Sequence, residues 1–114
     1  MKYAVLIYAD QAVANDRPDE ERAANTAKYM ALMQAPETLA GEQLQPVDTA
    51  TTVRAPDGVP LHTDGPFATT KEHMAGFYLI DVEDLDAALA FAAKVPATWL
   101  GGAVEVRPLV ELPR

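Results

Sequence analysis

Three observations predict an α+β fold, a split βαβ pattern interrupted by one β-hairpin. Apolar, β-branched and aromatic runs alternate with two helical patterns in the order strand, helix, strand, strand, helix, strand. A "PDG" turn at 56–58 lies between two short extended runs, so residues 50–63 separate from that order as an inserted hairpin. The two longest strands are apolar on both faces, more than two helices can cover.

The elements follow in order. Residues 2–9, "KYAVLIYA", have the length and composition of a strand. In "NDRPDEERAANTAKYMALMQ", Pro18 stands at the first position of a helix over 18–34, and Asp19, Glu20 and Glu21 suit its dipole. Ala23, Ala27, Met30, Ala31 and Gln34 share a face at helical spacing, and Ala35-Pro36 ends the helix. "ETLAGEQLQP" is a second strand ending at Pro46, and "HMAGFYLIDV" a longer one after the hairpin. In "EDLDAALAFAAKV", Asp84 is placed to cap a helix whose common face carries Leu85, Ala88, Leu89 and Ala92. "AVEVRPLVEL" is the last strand, and Pro108, lacking an N–H, puts it at a sheet edge. With the hairpin removed, this is the ferredoxin-like order.

Alternation extends the prediction to assembly. Tyr3, Val5 and Ile7 face one way and Ala4, Leu6 and Tyr8 the other; Met74, Tyr78, Ile80 and Val82 oppose Ala75, Phe77 and Leu79. One apolar face therefore needs a cover from outside the two helices. A second copy of the sheet about a two-fold axis supplies it, giving a homodimer; the hairpin folding back over its own sheet is the alternative.

Composition narrows the chemistry. The chain has 114 residues, enough for one domain, 1–114. It contains neither cysteine nor serine, which excludes disulfides, thiolate chemistry and serine nucleophiles. Net charge is −8, and no Lys/Arg cluster offsets it, so a nucleic-acid partner is not expected. No phosphate-binding glycine loop is present, and no nucleotide cofactor is expected. The opening run is too short and badly flanked for a signal peptide, and no run reaches the ~18–20 apolar residues of a membrane span, so the expected location is cytoplasmic.

The blocks "LAGEQLQP" (39–46), "TDGPFATTKE" (63–72), "GFYLIDV" (76–82) and "VEVRPL" (104–109) resemble the DGPF-domain branch of the YCII-related proteins, with matching spacing over nearly the whole chain. The resemblance implies a ferredoxin-like fold pairing as a dimeric α/β barrel. It implies little about activity: some members of the branch sit genetically beside extracytoplasmic-function sigma factors. Elsewhere in the superfamily a His-Asp pair, with the histidine on the first helix, is proposed as catalytic. Here residues 18–34 contain no histidine, so that pair does not carry over.

The stretch "HTDGPFATTKEH" (62–73) holds both histidines and concentrates the remaining candidates. Asp64-Gly65-Pro66-Phe67 has the chemistry of a rigid turn. If 61–64 is extended, His62 and Asp64 project to one face, where the carboxylate can orient the imidazole; Glu72 and Tyr78 share a parity on the next strand. His62, Asp64, Glu72 and Tyr78 around one cleft would suit acid-base work of lyase, isomerase or hydrolase type on a small organic acid or lactone. Arg54, Phe67 and Lys71 are the ligand-binding candidates, Arg54 also as a partner for Asp64. Asp64 is expected partly buried at the base of a cleft between the 64–72 loop and the strand of Tyr78. The resembled motif contains Asp64 but neither histidine. A metal on His62, Asp64 and His73 fits no known ligand spacing, and no metal or other cofactor is expected. Trp99 has the character of a core or dimer anchor. Two function classes follow: a cofactor-free small-molecule enzyme, or a non-catalytic dimer that senses a metabolite or partners a regulator.

Overall fold

In the computed structural model, which describes residues 1–68 and 70–113, β1 spans Lys2–Ala9 as predicted from its β-branched and aromatic run. A short helix absent from the sequence expectation, α1 (Gln11–Asn15), follows, because Asp10 accepts from the Ala12 N–H and caps it. The long helix α2 is Asp19–Met33, with Pro18 one position outside it and the three acids in its first turn. β2 is Thr38–Gln43, three residues shorter at its end than expected. The hairpin forms as β3 (Thr51–Arg54) and β4 (Leu61–Asp64), and its turn is closed by Gly58 N–H to the Ala55 carbonyl with Gly58 at φ 80°. β5 is His73–Asp81, α3 Leu85–Ala92 with Asp84 accepting from the Ala87 N–H, and β6 Ala103–Pro108.

The main sheet has the order β2-β5-β1-β6, antiparallel throughout, which is the ferredoxin-like arrangement. The proline-bearing strand β6 lies at an edge, as its missing donor requires. Tyr3, Val5, Ile7, Tyr78 and Ile80 point to the helices and form the core with Leu32 of α2 and Ala88, Phe91 and Ala92 of α3. Each large apolar side chain buried there contributes roughly 1.5–3 kcal/mol. The Tyr78 and Phe91 rings meet edge-on, centroids 5.5 Å apart.

Three face assignments change. A bulge opposite Ile7/Tyr8 leaves Ala75 unpaired and sets Met74 across from Tyr8, so Met74 joins the open face rather than that of Tyr78. On α2 the inward residues are Asn25, Tyr29, Leu32 and Met33, while Ala23, Ala27 and Ala31 are exposed. The larger side chains decide which stripe is buried, not the alanines. On α3 the buried stripe is Ala88, Phe91 and Ala92, and Leu85 and Leu89 stay about half exposed, because the Phe91 ring fills the space above Tyr78.

The hairpin does not fold back over the sheet. β3 and β4 form a separate two-stranded sheet, and every residue of the two strands except Thr52 is exposed. The molecule is consequently broad and flat, with a radius of gyration of 15.9 Å against about 13 Å for a compact chain of this length. Leu6, Phe77 and Leu79 on the open face remain only partly covered. Trp99 is not a core residue either: it is 48% exposed, with the Lys28 ammonium 5.0 Å from its ring centre. Among the described residues no helix is long and apolar enough to cross a membrane.

Candidate functional site

On the helix side of the sheet, a cleft of about 540 Å³ opens between α2, the short α1 and the ends of β1, β2 and β5. It exists partly because two inward sheet positions are glycine. A Cβ on Gly41 would lie 2.7 Å from Tyr78 Cδ1 and 3.0 Å from Met33 Sδ; one on Gly76 would lie 2.7 Å from the Glu42 carbonyl oxygen. With those side chains missing, Ile7 and Tyr78 border the space from the sheet, and Arg22, Asn25, Tyr29 and Met33 from α2. Its size falls within the ordinary range for small-molecule sites.

Two phenols organise the site. The Tyr78 hydroxyl donates to the Tyr29 carbonyl oxygen at 2.8 Å. Burial, reinforced by the neighbouring Tyr29 phenol, pushes the Tyr78 pKa up to about 12. Burial also raises that of Tyr29, against a backbone hydrogen bond from Ala97. Tyr78 thus stays protonated and is committed to a structural hydrogen bond. The other ionisable groups on the lining are Asp10 and Arg22, and the Arg22 guanidinium lies 3.6 Å from Asp19; Glu42 borders the cleft with its backbone, being paired with Phe77 on the open face.

The residues singled out from sequence lie elsewhere, Tyr78 excepted. His62 and Asp64 do share a face of the hairpin, opposite Val53 and Thr51, but both are exposed. Asp64 is therefore not at the base of a cleft within one chain: the hairpin projects away from β5, and no residue of it borders the space next to Tyr78. Arg54 lies on the opposite hairpin face from Asp64, across from Leu61, so the expected pair does not form; its guanidinium stacks 4.6 Å from the Phe67 ring centre instead. Phe67 is 70% exposed. Lys71 and Glu72 are exposed, and the shared parity of Glu72 and Tyr78 is broken by the β5 bulge between them. His73 begins β5 and is separated from the hairpin face of His62 and Asp64; among the described residues no group of three or more His, Asp or Glu could hold a metal.

The turn chemistry of the motif is explicit. Gly65 sits at φ 105°, its N–H donates to the Ala50 carbonyl at 2.8 Å, and its own carbonyl accepts from the Thr52 hydroxyl at 2.7 Å. The Thr70 hydroxyl donates to the Glu72 carbonyl.

Sequence reasoning missed Asp10, Arg22, Asn25 and Tyr29. A signal for Asn25 was present: it lies at the four- and seven-residue spacings that lead to Tyr29 and Leu32, a polar residue on an inward stripe. Nothing local marked the cleft itself, because strands distant in sequence form one side of it.

The chain matches the YCII-related domain family over residues 1–113. It is 39% identical to an uncharacterised protein of Rhizobium meliloti (strain 1021), over 96% of this chain and 92% of the relative. Among solved structures it resembles 5-chloro-2-hydroxyhydroquinone dehydrochlorinase (TftG) from Burkholderia phenoliruptrix AC1100, in complex with 2,5-dihydroxybenzoquinone. The TM-score is 0.52 and identity 16%, covering 96% of this chain and 94% of the other, a likeness of fold. Strand order, sequence and fold agree: this chain belongs to the YCII-related family.

Proposed function

We propose that this protein, a DGPF-type member of its family, binds a small organic molecule in the cleft between α2 and the sheet. The observation that carries the reading is the cleft itself: about 540 Å³, with Ile7, Met30 and Met33 beside a few polar groups. A cofactor-free enzyme of lyase, isomerase or hydrolase type is the second reading. It is favoured by a carboxylate on the lining, Asp10, and is compatible with the dehydrochlorinase activity named for TftG.

The working unit proposed is a homodimer paired as a dimeric α/β barrel through the open sheet face. Half-covered Leu6, Phe77 and Leu79 support it, as do the exposed Val53, Leu61 and Phe67 of a hairpin that its own chain leaves uncovered. In that assembly His62, Asp64, Glu72, Arg54 and Lys71 face the partner chain, since the cleft of their own chain lies out of reach.

The test is amide chemical-shift mapping with a library of ring-sized organic fragments. Binding in the cleft moves Asn25, Tyr29, Gly41 and Gly76 together. Shifts confined to residues 61–68 would place the site on the hairpin and overturn the reading. A substrate found this way would give the enzyme reading its own check, a pH-rate profile that loses its acid limb in Asp10→Asn.

A further inference from the structure

One polar residue lies where the cleft meets the core. Asn25 is 8% exposed, the only polar residue among the buried ones described, and it borders the cleft. Its side-chain amide has no hydrogen-bond partner among the described residues, and no unpaired buried polar atom is sealed off, so the amide reaches the cleft. A leucine of similar shape would fill the position, as α2 turns leucine or methionine toward the core at Leu32 and Met33.

From this we infer that Asn25 is the recognition anchor of the cleft. Its ligand is an uncharged, ring-sized molecule carrying a hydrogen-bond acceptor and donor on adjacent positions, as a lactam does. This rests on the ligand-binding reading above and specifies it. A carboxamide offers one acceptor and two donors in a plane, and a C=O next to an N–H or O–H answers both at once. Charge sets the rest of the specificity. Asp10 places a negative charge on the lining, and its one cation, Arg22, is shared with Asp19 at 3.6 Å. An anionic ligand is therefore opposed. Tyr29, one turn beyond Asn25 on the same stripe, adds a phenol that burial keeps protonated and able to donate. Ile7 and Met33 supply apolar contact for the ring.

The experiment titrates the full chain with three probes of similar size: 2-pyridone, which has the paired edge, toluene, which lacks it, and benzoate, which is charged. Side-chain and backbone amide shifts are followed alongside thermal unfolding. 2-Pyridone is expected to shift the Asn25 side-chain amide and to bind at least tenfold tighter than either control. Asn25→Leu is expected to lose that tenfold preference while melting at about the same temperature, since it breaks no hydrogen bond among the described residues. Equal binding of 2-pyridone and toluene, or a leucine variant that keeps the preference, overturns the Asn25 assignment and leaves the cleft as a ligand site. A leucine variant that melts several degrees lower also overturns it, by showing that the amide is structural. If no probe moves any cleft residue, the ligand-binding reading falls together with this one.

Discussion

The Tyr78 hydroxyl donates to the Tyr29 carbonyl oxygen at 2.8 Å, across 49 residues of sequence, and so ties the middle of the sheet to the helix above it. Tyr78→Phe removes that bond and keeps the ring against Phe91. The expected loss is about 1 kcal/mol in denaturant unfolding at neutral pH, the usual net worth of one such bond. No change at all would mean that the helix carbonyl loses nothing when the hydroxyl is gone.

The same phenol sets an alkaline limit. With a pKa near 12 in the folded state against 10.0 unfolded, both states hold the proton below pH 10, and the stabilisation is complete there. Between pH 10 and 12 the unfolded chain releases the proton and the folded chain does not, so stability falls as pH rises. The loss is on the order of 2 kcal/mol across that interval. Urea unfolding from pH 8 to 12 measures it, and Tyr78→Phe should flatten this part of the profile.

Gly41 keeps the cleft open. Gly41→Ala would press a methyl to 2.7 Å from the Tyr78 ring and 3.0 Å from Met33 Sδ. Overpacking of this kind costs about 1–3 kcal/mol. Thermal unfolding should show the loss, and any cleft ligand should bind more weakly to whatever folds.

The open sheet face predicts self-association. Sedimentation at micromolar concentration should show a dimer, with an interface of roughly 1,000 Å² or more. Phe77→Lys places a charge beside Leu6 on that face and should yield monomer with the monomer fold intact. A wild-type chain that sediments only as monomer would remove the dimer from the functional reading.

The DGPF turn separates fold from function by two substitutions. Gly65→Ala forces a side chain into φ 105° and should destabilise by about 1 kcal/mol or more. Asp64→Asn leaves the Gly65 hydrogen bonds to Ala50 and Thr52 untouched and should cost less than about 1 kcal/mol. If Asp64→Asn abolishes ligand binding while the melting temperature holds, the carboxylate acts on the site of a partner chain.

The sequence by itself determined the secondary elements other than α1, their ferredoxin-like order and the family, because period, caps and turn residues act over a few positions. Asp84 before α3, the acids opening α2, Gly58 in its turn and Pro108 at an edge are all local chemistry. It also determined what is absent, since no cysteine or serine nucleophile can be supplied by folding. Only the tertiary structure decided where the candidate site lies. The motif rich in functional groups stands on a projecting hairpin, where Arg54 turns to Phe67 and away from Asp64. The cleft is assembled from Asn25, Tyr29, Gly41, Gly76 and Tyr78, of which only Tyr78 was singled out from its own segment. Which helical stripe was buried, and that a bulge would carry Met74 to the open face, depended on volumes and registers between strands far apart in the chain. Such packing has no signature in any single window of sequence.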